Sequence, residues 1–138
     1  MLTMEIKLNL EVSAANLDTL WQEHPEETKV WASACADALK EQQEAENALK
    51  LILAQTEIKV RQNPVDYGFA KLTEDLVKAV VTTQPAVIEA TQKVADSKHS
   101  VNVTRAIVDA LDVKRSSLKY LSELTISGYI GTIPGIRN

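Results

Sequence analysis

Asn63-Pro64-Val65-Asp66-Tyr67-Gly68-Phe69-Ala70-Lys71-Leu72-Thr73-Glu74-Asp75 divides this chain into two long helical runs. Proline disfavours helix in the residue before it, so Asn63-Pro64 ends the first run. Gly68 supplies a flexible corner. Thr73-Glu74-Asp75 then caps a short helix over 74–82, because the threonine oxygen can accept a free N–H of the first turn. Long helical patterns flank the bridge, one over 25–62 and the other over 85–127. The layout predicts a mainly α protein built as a long antiparallel helical hairpin with a short bridging helix. Such a shape builds oligomers and scaffolds more readily than an active-site cleft.

The first long helix opens at His24-Pro25-Glu26-Glu27. Proline suits the first helical position, and the acids offset the positive helix end. Trp31, Ala38, Ala45 and Ile52 recur at intervals of seven, with Cys35, Leu49 and Thr56 beside them. Before it, Ser13 is placed to cap a separate short helix over 14–23. The second long helix restarts at Gln84-Pro85. One line holds Val87, Val94, Val101 and Val108; the other holds Ala90, Ser97, Thr104, Leu111 and Leu118. These resemble the a and d positions of a coiled coil. Ser97 and Thr104 weaken the seam, and Arg115 continues the valine line. Packing against more than one neighbour would bury Ile88, Ile107, Leu121 and Leu124 as well, so the pattern predicts a homo-oligomer.

Residues 2–12 alternate: Leu2, Met4, Ile6, Leu8, Leu10 and Val12 on one side, Thr3, Glu5, Lys7, Asn9 and Glu11 on the other. Period two predicts an N-terminal β-strand with one buried face. Its backbone needs a partner, either in the tail or in a neighbouring subunit. The tail, 128–138, is apolar and glycine-rich and would be sticky in water. Its glycines do not follow a phosphate-loop spacing.

At 138 residues the chain is one domain's worth. A hydrophobic fraction of 45% argues against disorder, and 4% aromatics suits thin, closely packed helices. No stretch approaches the roughly 20 apolar residues of a membrane span. The start lacks the apolar block of a signal peptide, which predicts a cytoplasmic protein. Cys35 stands alone, so no internal disulfide forms. The net charge of −4 lacks the basic signature of nucleic-acid binders. Its distribution is uneven: residues 1–50 carry four Lys/Arg and ten Asp/Glu, whereas 51–138 carry eleven and nine. An anionic partner would meet the second half.

Catalysis finds little support. His24 and His99 are far apart, and no metalloprotease, redox-dithiol, serine-elbow or phosphate-loop motif occurs. Metal ligation by His24 with Glu27 would need more ligands than the local sequence gives. The chain reads as a non-enzyme without metal or cofactor. The basic residues carry more information. Lys59 and Arg61 lie in the last turn of the first long helix, Lys71 and Lys78 follow the bridge, and Arg105, Lys114, Arg115 and Lys119 line the far half of the second. Cations in a last turn also complement the negative helix end, and Arg61 can pair with Glu57 one turn back. The functional alternative is a strip contacting phosphates, made effective when several subunits align Lys59, Arg61 and Lys71. Tyr67 and Phe69 could stack bases there, or pin the loop to the core.

The order of landmarks resembles the UvsY-like phage recombination mediators. It runs Asn16-Leu17-Asp18-x-x-Trp21-x-x-His24-Pro25, Trp31-Ala32, Ala36-Asp37-Ala38, Lys59-Val60-Arg61, Asn63-Pro64-x-x-Tyr67-Gly68 and Lys71-Leu72-Thr73-Glu74. Leu118-x-x-Leu121-x-x-Leu124 before Gly128-Tyr129 completes it, so the resemblance covers roughly 16–130. It implies an oligomeric helical protein that binds single-stranded DNA and helps a RecA-type recombinase replace single-strand-binding protein. The family's basic Lys-x-Arg element would fall on Lys59 and Arg61, with Lys71 and Tyr67 beside it. The acidic net charge departs from that expectation. The residues alone also fit a second reading, a structural helical oligomer of a phage that does not bind nucleic acid.

Overall fold

The computed structural model describes residues 10–128, which form three α-helices and two short 3₁₀ turns. Helix α1 spans Leu17–Gln62, α2 spans Glu74–Thr82 and α3 spans Pro85–Ile126. Among the described residues there is no strand. Residues 2–9 of the expected strand and residues 129–138 of the tail lie outside the described residues. Residues 10–12 carry no regular secondary structure. The chain reads as a single domain in sequence. In the structure its contacts divide into two compact units, Met1–Cys35 with Val103–Asn138, and Ala36–Asn102.

The second unit contains the bridge. Asn63 closes α1 by donating both its backbone N–H and its side-chain amide to the Lys59 carbonyl, at 3.1 and 3.3 Å. A 3₁₀ turn over Pro64–Tyr67 follows, ended by Gly68 at a φ of 85°. That left-handed conformation strains any residue with a Cβ. The Gly68 N–H then reaches the Val65 carbonyl at 3.0 Å. Thr73 caps α2, its hydroxyl accepting from the Leu76 N–H at 3.3 Å. Val60, Val77, Val80, Val81 and Val87 form one buried cluster, with Ile52, Leu53, Tyr67, Phe69 and Leu72 packed on it. Each fully buried valine contributes about 1.5–3 kcal/mol. A nine-residue helix is too short to hold itself in water, so this cluster fixes α2 and the bridge.

The first unit pairs the start of α1 with the end of α3. The Trp21 indole N–H donates to Ser122 Oγ at 2.8 Å, and Lys114 Nζ pairs with Glu27 at 3.0 Å. The partner number falls as the α1 number rises, so the two segments run antiparallel. In this unit Leu20, Leu111 and Leu118 are buried, and so are His24 and Lys114.

One expected boundary is absent. The sequence predicts a short helix over 14–23 and a restart at Pro25, yet only Ala14–Asn16 is a separate 3₁₀ turn, and α1 runs through Pro25. Proline inside a helix costs about 3 kcal/mol. Contacts on both sides hold the helix together: Leu20, Trp21 and His24 before the proline, Glu27 and Thr28 after it. Pro25 itself is exposed. Ser13 does act as a cap, for the 3₁₀ turn, accepting from the Ala15 N–H at 3.2 Å.

Both predicted seams are largely buried. Val87, Ala90, Val94, Val101, Leu111 and Leu118 are buried, and Ser97, Thr104 and Val108 half-buried. Arg115 departs from the valine line and is exposed. Lys114 takes the inward place instead, three residues after Leu111 and four before Leu118.

Candidate nucleic-acid interface

The four residues expected to meet DNA all lie in the second unit, and the structure gives them three different environments. Lys59 and Lys71 are exposed, and among the described residues neither forms an ion pair. Their chain neighbours Val60 and Leu72 belong to the same hydrophobic cluster. Both ammonium groups therefore emerge from the rim of one packed body, Lys59 from the last turn of α1 and Lys71 from the bridge.

Arg61 is engaged. Its Nε and Nη2 donate to Glu57 Oε1 at 3.1 and 2.9 Å. Its Nη1 and Nη2 donate to the two oxygens of Glu74 at 3.0 and 2.8 Å. The planar guanidinium thus spans the bridge, joining the end of α1 to the first turn of α2. These bonds raise the Arg61 pKa and hold the Glu74 carboxyl below the usual carboxylate range. Glu74 also sits at the positive end of α2, where an anion is favoured. Two carboxylates outweigh one guanidinium, so this trio offers no spare positive charge. Exposed ion pairs contribute little to stability, and the pairing mainly sets the geometry of the elbow.

Tyr67 is half-buried and packs against the valine cluster, as does Phe69. In this position both rings serve the core. Lys78 is exposed on α2, close enough to Glu74 to contribute to its lowered pKa.

On α3, Arg105, Arg115 and Lys119 are exposed, but Lys114 is not. Its ammonium lies 3.0 and 3.1 Å from the two oxygens of Glu27, which removes it from any surface strip. Glu27, expected to offset the positive end of a helix, here neutralises a buried cation from α3. His24 is buried next to the pair, with Nε2 at 3.4 Å from Thr28 Oγ1 and Nδ1 lacking a hydrogen-bond partner. Burial pushes the His24 pKa down, and the Lys114 charge pushes it further the same way. Sequence reasoning missed this trio. The legible signal was the three-then-four spacing of Leu111, Lys114 and Leu118, which puts the lysine on the buried line.

Among the described residues, no group of three or more His, Cys, Asp or Glu is placed to hold a metal ion. A shallow opening in the second unit is lined by Ala45, Ala48, Ile52, Ala86, Ala90 and the Glu89–Lys93 pair. Its two charged groups, Glu89 and Lys93, pair with each other at 3.6 Å. No described helix is long and apolar enough to cross a membrane. Compared with known protein families, curated proteins and solved structures, the chain matches none.

Proposed function

We propose that this chain is a non-enzymatic recombination mediator, which holds single-stranded DNA as a homo-oligomer and helps load a RecA-type recombinase in place of single-strand-binding protein. One observation carries the reading. Lys59 and Lys71, two of the positions assigned to DNA, stand exposed on the rim of one cluster, without a carboxylate partner among the described residues. Arg61 takes a different part from the one its motif implies: it braces the elbow that presents the two lysines. Two ammonium groups per subunit bind phosphate weakly, and repetition around an oligomer supplies the affinity.

The test is a titration of a fluorescent single-stranded oligonucleotide across a range of salt. Each phosphate contact to a single strand contributes about 0.7 to the slope of log affinity against log salt. Lys59→Ala with Lys71→Ala should flatten the slope by about 1.4 per bound subunit, whereas Arg61→Ala should change it far less. A double variant that keeps the parent slope would remove these lysines from the interface. A parent that ignores the oligonucleotide at low salt would discard the mediator reading.

A second reading has its own observation. The Glu57–Arg61–Glu74 trio is net negative, which favours a structural helical oligomer without affinity for nucleic acid. That oligomer would form normally and leave the oligonucleotide free.

A further inference from the structure

Glu74 occupies the edge of Arg61 that a phosphate would use. The Arg61 fork, Nη1 and Nη2, donates to the two oxygens of Glu74 at 3.0 and 2.8 Å. Glu57 takes the other edge with a single oxygen, which accepts from Nε and Nη2 at 3.1 and 2.9 Å. A guanidinium fork fits a carboxylate and a phosphate in the same two-bond geometry, so the two compete for one place. That place lies open to solvent: the Glu74 side chain is 72% exposed and that of Arg61 44%.

Both chain neighbours of Glu74 at helical reach are basic. Lys71 stands three residues before it and Lys78 four after; both are exposed, and neither forms an ion pair among the described residues. Residues 57–78 hold four Lys/Arg and four Asp/Glu, a balance of zero. Two of the four acids, Asp66 and Asp75, are exposed and pair with no cation among the described residues. Glu57 pairs along its own helix, one turn back from Arg61. Glu74 alone of the four reaches a cation across the bridge, so the fold and not helix spacing puts it in the fork.

We infer that Glu74 is a built-in inhibitor of strand binding, a carboxylate that takes the place of phosphate on Arg61 and leaves the strand to Lys59 and Lys71. The inference rests on the mediator reading and adds the regulation of its site. It explains how Arg61 can be exposed and yet closed to a ligand. Removing the charge at position 74 opens the Nη1–Nη2 edge, while Glu57 keeps Nε and steadies the side chain. The opened edge becomes a third phosphate contact in each subunit. With the edge closed, each subunit holds the strand by two ammonium groups alone, and the strand stays easy to surrender to a recombinase.

The experiment titrates fluorescent single-stranded oligonucleotide into variants of the full chain across a range of salt. Glu74→Gln keeps the shape of the side chain and removes its charge. One more contact per bound subunit should steepen the slope by about 0.7, a gain of about eightfold at roughly 50 mM salt and about threefold at roughly 200 mM. Glu74→Ala should repeat that gain. Asp75→Asn removes the same charge one residue away and should leave the slope at the parent value. Arg61→Ala added to Glu74→Gln should return the slope to the parent value as well.

Three results would overturn the inference: no gain in either Glu74 variant, an equal gain in Asp75→Asn, or a gain that survives Arg61→Ala. The last two would reduce the effect to a general field of charge. The mediator reading fails separately. A parent that ignores the oligonucleotide while Glu74→Gln binds it keeps the inhibitor and discards that reading. A parent that binds through Lys59 and Lys71, with no gain in either Glu74 variant, does the reverse. Silence in the parent and in every variant discards both.

Discussion

Lys114 on α3 holds its ammonium 3.0 Å from a Glu27 oxygen of α1, with 1% of its side chain exposed to solvent. The two residues are 87 positions apart, and Lys114 stands between buried Leu111 and Leu118 along α3. A buried pair of this kind gains little over an apolar one, yet breaking it is expensive because one charge is stranded.

Lys114→Met, which strands Glu27 in the core, should therefore destabilise the protein by about 3 kcal/mol. Adding Glu27→Leu removes the stranded charge and should recover most of that loss. Urea denaturation of the two variants and the parent checks both statements. Equal destabilisation in the single and double variants would show that the pair contributes through packing alone.

Pro25 breaks the hydrogen-bond ladder of α1 in a segment whose neighbours on both sides are held by α3. Pro25→Ala restores an N–H to bond the Trp21 carbonyl and relieves the ring clash. The substituted position is exposed, so no packing is lost. The expected gain is about 1–3 kcal/mol, read as a higher melting temperature. A lower melting temperature would mean that the proline sets a bend on which the Trp21–Ser122 contact depends.

His24 makes the first unit sensitive to acid. Its folded pKa is depressed below the ordinary 6.5 by burial first, then by Lys114 and Arg115, while Glu27 and Asp112 oppose the shift. A base with a depressed pKa binds its proton more readily in the unfolded chain. Its contribution to stability is thus intact above about pH 6.5 and is lost as pH falls toward the depressed folded value. Melting temperatures between pH 8 and pH 5 should fall on the acid side, and His24→Gln should flatten that fall. An unchanged profile in the variant would place the acid sensitivity elsewhere.

Gly68 turns the bridge with a positive φ, and a Cβ at that position would meet nothing within 4 Å. The whole penalty of Gly68→Ala is consequently conformational, about 1–2 kcal/mol. Chemical synthesis with D-alanine at 68 should show no such loss, since its mirror-image preference suits this φ. Comparing the two melting curves separates backbone strain from steric contact.

The parts of this fold that were legible were those written in local chemistry. Asn63-Pro64 and Thr73 mark the end of α1 and the start of α2, and the structure puts both boundaries there. The valine line and its companion seam gave the buried face of α3 through Leu118, with Arg115 the exception. The break expected at Pro25 did not occur, because tertiary contacts on either side overrode a local preference. Lys114 was read as a surface cation for the same reason: its partner lies on another helix, and no local pattern announces a match 87 positions away. Arg61 was half legible. Its bond to Glu57 follows from the one-turn spacing, but Glu74 reaches it only because the bridge folds back.

The division into two units has a consequence for how the chain folds. Ala36–Asn102 is continuous, so its helices can collapse onto the valine cluster as soon as that stretch leaves the ribosome. The other unit joins segments at opposite ends of the chain, and Trp21 must wait for Ser122. Closing so long a loop in a free chain is slow, but a preformed middle shortens the search. The first unit should accordingly be last to assemble and first to open, leaving early α1 without its partner until the end of α3 has been made.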